Sequence, residues 1–380
     1  MNPQGAWQLA EVRKLAPDIS AQAAAIESAR RLPPSLIDAF RSAGIFRMFV
    51  AREYGGMALD LPDSLDVFET LSSADGSAGW MAVTWAHAAI YVSRLPKPTL
   101  DVIYAEGPDV IWTNSMVLGG VAEAVEGGYR VSGRWPLVSG CEAADWMFAH
   151  CRTVGDEPSS TIAVAAPRDA WRIEDTWEAL GLCGTGSLEI NLEDAFIPNN
   201  YAFDVMNGLP QLEGGLYLSS TMASCLHFSA VAVGIAQAAI EDLFNLLRLD
   251  HHRLSAHAGL GSSAMFQTGL GWAEVEVTAA RALMRREADH LHALSEAGDL
   301  PTIAGVAASQ AAAWIATTCA RTVDACLNLA GSTAIYSRSP LQRRLRDIHT
   351  LLQHHVMRMD HVTDAGRQHV WRCVSEEAPR

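Results

Sequence analysis

VEGGYRVSGRW, residues 125–135, divides the chain into two textures. Gly127 and Gly128 accept positive φ at little cost, and the YRVSGRW run after them is rich in strand-favouring residues, so the stretch reads as a hairpin arm. Short runs of the same kind, STIAVAAP (160–167) among them, continue from about Val110 to Asp204 and are separated by GG, SG and PRD turns. Upstream, apolar residues recur at helical spacing. In PPSLIDAFRSAGIF (33–46), Leu36, Phe40 and Ala43 fall on one face between a Pro-Pro start and the stop signal of Gly44. FVAREYGGMALDLPD (49–63) interrupts them as a loop. Downstream come three long alanine-rich segments, about 218–250, 263–297 and 303–331, then a histidine-rich one. Each is apolar on more than one face, as expected of helices buried in a bundle. The pattern predicts an α+β chain with an N-terminal helical domain (1–109), a middle β domain (110–216) and a C-terminal four-helix domain (217–380).

A chain of 380 residues with 49% hydrophobic and 19% charged content is globular, and a formal net charge of −15 argues against nucleic-acid or anionic-membrane partners. The expected ligand is a small molecule. The seven cysteines are scattered without a C-x-x-C pair, the first residues lack the order of a signal peptide, and a cytoplasmic setting is expected. Common cofactor fingerprints are missing. Lysines stand only at 14 and 97, so there is no P-loop, and GLCGTGS (181–187) lies among strands instead of opening a helix, so no Rossmann-type nicotinamide site is predicted.

Two stretches carry candidate chemistry. RDIHTLLQHH (346–355) holds three of the 13 histidines. As one helix it would bury Leu341, Leu345, Ile348, Leu352 and Met359 and set Thr350, His354, Met357 and His361 on the opposite side. Its spacing offers only a loose metal set, so no metal is expected, and packing or a base both fit the pattern. In GRWPLVSGC (133–141), Ser139 followed by Gly140 fits either close approach to a ligand or a turn after a strand.

Taken in order, AREYGG (51–56), VEGGYRVSGRW, GLCGTGS, DAFIPNN (194–200) and SPLQRRLRD (339–347) resemble the acyl-CoA dehydrogenase superfamily over nearly the whole chain. The resemblance implies a barrel-like middle domain, a flavin held between it and the C-terminal bundle, and a homotetramer. Many dehydrogenases of this family carry their catalytic glutamate in a Y-E-G motif at a fixed distance after an R-D pair. Counted from Arg346 and Asp347, that motif's tyrosine and glutamate positions fall on His354 and His355. Between Glu287 and Glu376 the only glutamate is Glu296, far upstream, so this type of base is missing.

The R-D pair followed by a histidine, with W-P-x-x-S-G-C and G-L-x-G-T-G-S, is instead similar to the flavin-dependent monooxygenases built on this fold. These include the oxygenase components of two-component aromatic hydroxylases, which receive reduced flavin, FMNH2 or FADH2, from a separate NAD(P)H-dependent flavin reductase. They form a flavin C4a-hydroperoxide with oxygen. The resemblance implies a hydroxylase of an aromatic or heteroaromatic substrate; oxidation at nitrogen or sulfur, or a flavin dehydrogenase with an unusual base, are the alternatives. It makes Ser139 the partner of flavin N5 and His354 the peroxide-side group, an imidazole expected to hold or donate a proton near neutral pH. It places His87, in SAGWMAVTWAHAA (77–89), beside the substrate. Trp112, Asn114, Ser115, Leu137 and Val138 are implied around the flavin ring and Arg253 at its phosphate. Asn328, Ser332 and Thr333 depart from the family's adenine-binding loop, which admits FMN beside FAD.

Overall fold

In the computed structural model, which describes residues 1–154, 160–253, 260–300 and 302–376, prolines mark helix starts. α1 (Pro3–Ala29), α2 (Pro34–Ser42), α3 (Leu61–Ala74), α4 (Gly76–Val92) and α5 (Lys97–Ile103) make the N-terminal part, and α1, α2, α3 and α5 each carry proline in the first turn. Its fixed φ suits that position and its missing N–H is no loss there. Asp75 caps α4, its carboxylate accepting from Ala78 N at 3.0 Å.

Strands follow: β1 (Trp112–Val125), β2 (Gly128–Val138), β3 (Trp146–Val154), β4 (Thr161–Pro167), β5 (Arg172–Glu174), β6 (Leu188–Pro198) and β7 (Ala202–Phe203). They form one seven-stranded sheet in the order β5-β6-β2-β1-β3-β4-β7. The β1–β2 hairpin closes at Val125 opposite Gly128, with Gly127 at φ 81°, as the opening stretch predicts. The β1–β3 pairing is parallel and the others are antiparallel, so the barrel-like expectation takes the form of a mixed sheet ending at β5 and β7.

The C-terminal part holds α6 (Gly215–Leu218), α7 (Ser220–Arg253), α8 (Ala264–Glu296), α9 (Thr302–Ala330), α10 (Pro340–Leu351) and α11 (Asp360–Glu376). Within α7, Ala223–Arg248 is long and apolar enough to cross a membrane, yet 89% of its most apolar window is buried inside the protein, where α7 packs on α3 and α9. It is the core helix of the bundle.

The histidine segment is not one helix. α10 ends at Leu351, His354 is extended (φ −69°, ψ 135°), and a single 3-10 turn spans His355–Met357. After Leu351 and Leu352 the next position on the apolar stripe is His355, a polar residue that interrupts it. The break buries Met357 in the core and leaves Met359 outside, reversing their predicted sides.

The R-D pair pins this segment to the sheet. Asp347 Oδ1 accepts from Leu182 N at 2.6 Å, while the Arg346 guanidinium pairs with Glu27 and donates to Leu180 O at 3.0 Å. A Cβ on Gly181 would stand 2.1 Å from Arg346 O, so only glycine permits this approach.

Candidate active site

A cavity of about 930 Å³ opens where the three sets of elements meet. α4 contributes Trp80, Thr84, His87 and Tyr91, spaced as one helical face. The sheet contributes Asn114, Ser115, Pro136 and Leu137, the turn after β2 contributes Ser139, α7 contributes Ser224 and Phe228, and the broken helix contributes His349, Thr350, Gln353, His354, His355 and Val356.

Local irregularities turn the sheet residues toward this space. Pairing of β1 with β3 shifts register after Ser115, and pairing of β2 with β6 shifts between Trp135 and Val138. Leu137 sits in that second shift at φ 62°, a conformation costly for a branched residue and characteristic of functional sites. Ser139 and Gly140 then form a turn, as one of the two sequence readings had it. Gly140 has φ +66°, and a Cβ there would lie 2.2 Å from Met81 Cε.

Trp80 joins two of the predicted residues. Its indole N–H donates to Ser139 Oγ at 3.1 Å, and its ring meets the His354 imidazole edge-on at 5.1 Å. Phe228 completes the cluster, 4.4 Å from Trp80 and 4.9 Å from His354, centroid to centroid. His354 Nδ1 is buried with no hydrogen-bond partner, while the ring borders the cavity. Burial, reinforced by His355, pushes its pKa down to about 3. Burial thus favours the neutral imidazole, because a charged one would lose its hydration among aromatic walls, and the neutral ring still has one N–H to donate and one nitrogen to accept. His355 is lowered by burial first and then by His361, and His349 pairs with Asp324 at 2.8 Å.

His87 lines the cavity and its Nδ1 lies 2.9 Å from Nδ1 of the buried His227. Asn114, Ser115 and Leu137 line it as well. Trp112 and Val138 do not. Trp112 is 1% exposed and packs on Trp146 and Phe148, and Val138 is buried in the core. The Arg253 side chain lies outside the described residues.

Trp80, Phe228, His227, Thr185 and Ser187 were not singled out from sequence. The face shared by Trp80 and His87 is visible in their spacing of seven, and Thr185 and Ser187 stand in GLCGTGS. Phe228 and His227 carry no such signal, because α7 is apolar all round.

Among the described residues, no Asp, Glu, Lys or Arg lines the cavity. Its size is at the upper end for small-molecule sites, its walls are aromatic, and a histidine with a buried unpartnered imidazole nitrogen lines it together with several hydroxyls. These features suit a planar flavin ring with a second small aromatic beside it.

Residues 8–95 match the acyl-CoA dehydrogenase N-terminal domain family and residues 226–359 the acyl-CoA dehydrogenase C-terminal domain family. The chain is 30% identical over 335 residues to the indole-3-acetate monooxygenase of Pseudomonas putida, covering 86% of this chain and 84% of that protein. It is 27% identical over 366 residues to the FADH2-dependent resorcinol hydroxylase oxygenase component of a Rhizobium species, covering 88% and 87%. Its fold superposes on the HsaA monooxygenase from M. tuberculosis with a TM-score of 0.90 at 23% identity, covering 96% and 99%. By sequence and by architecture together, the chain belongs to the acyl-CoA dehydrogenase superfamily, within its branch of flavin-dependent monooxygenases.

Proposed function

We propose that the protein is the oxygenase component of a two-component system that hydroxylates an uncharged aromatic or heteroaromatic small molecule. The observation that carries this reading is the large, aromatic-walled cavity without a charged lining residue among those described. Burying a carboxylate there without a countercharge costs several kcal/mol, whereas a neutral ring gains by leaving water. Reduced flavin, FMNH2 or FADH2, supplies the activation of molecular oxygen when bound. A separate NAD(P)H-dependent reductase delivers it, in keeping with the missing nicotinamide fingerprint.

The chain's own groups divide the remaining work. Ser139 holds the hydrogen bond at flavin N5. His354, neutral and fixed by Trp80 and Phe228, offers a hydrogen bond to the oxygen side without adding charge. His87 orients the substrate from α4, with Asn114, Ser115 and Leu137 as ring contacts. Trp80, Phe228 and Leu182 exclude water from the reacting face. The units 1–109, 110–216 and 217–380 each contribute a wall. A homotetramer in the cytoplasm completes the proposal, supported by exposed Trp272, Trp314 and Trp371 on α8, α9 and α11 and by the scattered cysteines.

The test supplies reductase, NADH and flavin under 18O2 with paired substrates such as indole and indole-3-acetate. One 18O atom in the product and roughly hundredfold or more higher kcat/KM for the uncharged partner are expected, the factor that several kcal/mol for an unpaired buried charge corresponds to. Reduction of bound flavin by an acyl-CoA with no oxygen-dependent product would overturn the reading.

A further inference from the structure

From Ser139 a chain of hydroxyls runs along the cavity wall, its proton direction fixed by its two ends. Thr185 Oγ1 donates to Leu182 O at 2.8 Å, and a carbonyl can only accept. Thr185 Oγ1 lies 2.7 Å from Ser187 Oγ, which lies 2.8 Å from Ser139 Oγ. A hydroxyl has one proton. With Thr185 committed to Leu182, Ser187 donates to Thr185, and Ser139 donates to Ser187. At the other end the Trp80 indole, a donor only, gives its proton to Ser139 Oγ. Ser139 thus keeps one lone pair and no proton for anything in the cavity.

The chain has little freedom to reverse. Thr185, Ser187 and Ser139 are 2%, 5% and 6% exposed. The backbone is clamped as well, by Gly140 N on Thr185 O at 2.8 Å and by Thr113 Oγ1 on Ser139 O at 2.6 Å.

We propose that Ser187 and Thr185 are positioning residues that make Ser139 a hydrogen-bond acceptor at the cavity wall, and so bias the site toward reduced flavin. The N5 of reduced flavin carries a proton and needs an acceptor, whereas the N5 of oxidised flavin is itself an acceptor and meets a lone pair. This rests on the proposed flavin site. It adds that the redox preference is set through two further hydroxyls of the same cavity wall, which fix the proton of the residue that holds N5.

The test measures binding, not turnover. Dissociation constants of oxidised and reduced FMN and FAD are measured for the protein and for Ser187→Ala, Thr185→Val and Thr185→Ser, with the midpoint potential of the bound flavin as an independent readout. In Ser187→Ala the Ser139 proton is released toward the cavity, so the preference for reduced flavin is expected to fall about tenfold and the midpoint potential of the bound flavin to become more negative.

 Tighter relative binding of the oxidised form always lowers a midpoint potential, so a fall is the diagnostic sign. Thr185→Val is expected to move both readouts the same way and Thr185→Ser to restore them. A role in packing alone would weaken both forms equally and leave the ratio and the potential in place, and that result in both Ser187→Ala and Thr185→Val overturns the proposal. Failure of both oxidation states to bind the unaltered protein would instead overturn the flavin site itself.

Discussion

The Nδ1 atoms of His87 and His227 lie 2.9 Å apart, so one of the two rings is protonated there and the other is not. The far side of the pair decides which. Ser64 Oγ donates to Leu61 O at 2.7 Å and therefore accepts from His227 Nε2, 3.0 Å away. His227 is then the Nε2–H tautomer with a lone pair at Nδ1, and His87 donates to it from Nδ1. The tautomer of a cavity residue is thus set from a ring that never reaches the cavity.

Replacing His227 with Phe tests this while keeping a ring against Phe49 and Phe68, now 5.0 and 5.1 Å from the imidazole. His87 loses its acceptor at Nδ1. KM for the aromatic substrate is expected to rise about tenfold with flavin affinity unchanged, the cost of one misplaced hydrogen bond. Equal loss of flavin and substrate affinity would assign His227 to packing alone.

The same ring makes stability depend on pH. Burial, with His87 second, holds the His227 pKa well below its ordinary value. A base with a depressed folded pKa binds fewer protons in the folded state than in the unfolded one, so its contribution is intact above the unfolded pKa near 6.5 and is lost as pH falls below it. Urea melts between pH 7 and 5 are expected to show a steeper loss for the unaltered protein than for His227→Phe, by up to about 1.4 kcal/mol per pH unit. Parallel slopes would mean that His227 takes up a proton in the folded state.

Much of this architecture is legible in the chain, and what is not has a physical cause. Proline-led helices, the Gly127 hairpin and the long apolar α7–α9 segments follow from local spacing, which is why helix, strand and helix regions are readable in order. Asn114, Ser115, Leu137, Ser139, His87 and His354 all reach the cavity, but Trp112 and Val138 do not, because motif matching does not tell which face of a strand a residue takes. The break after Leu351 is likewise hidden, since it depends on burying Met357 against other helices. His227 and Phe228 lie on a helix buried all round, where periodicity marks no face.

Gly181 is the point at which the sheet loop meets α10. The 2.1 Å that a Cβ would leave to Arg346 O is a clash with backbone, which no rotamer change relieves. Gly181→Ala is expected to destabilise the protein by about 2–3 kcal/mol in urea melts, in the overpacking range. Because the same loop places Leu180 and Leu182 on the cavity wall, flavin affinity is expected to fall with it. Wild-type stability and affinity in this variant would show that the loop and α10 separate freely.

His354 carries the last prediction. Its ring is held by Trp80 and Phe228, its Nδ1 has no partner, and its pKa is pushed down to about 3. A neutral ring donates or accepts a hydrogen bond but does not change charge across the working range. His354→Ala is expected to raise hydrogen peroxide released per oxygen consumed by about tenfold or more, with His354→Asn recovering part of the coupling through its amide, since one lost hydrogen bond in a dry site is worth at least that factor. Between pH 6 and 8 the coupling of the unaltered enzyme and of His354→Asn are expected to run parallel. An inflection near pH 6.5 present only in the unaltered enzyme would show that the imidazole titrates there after all, and unchanged coupling in His354→Ala would remove the residue from the chemistry.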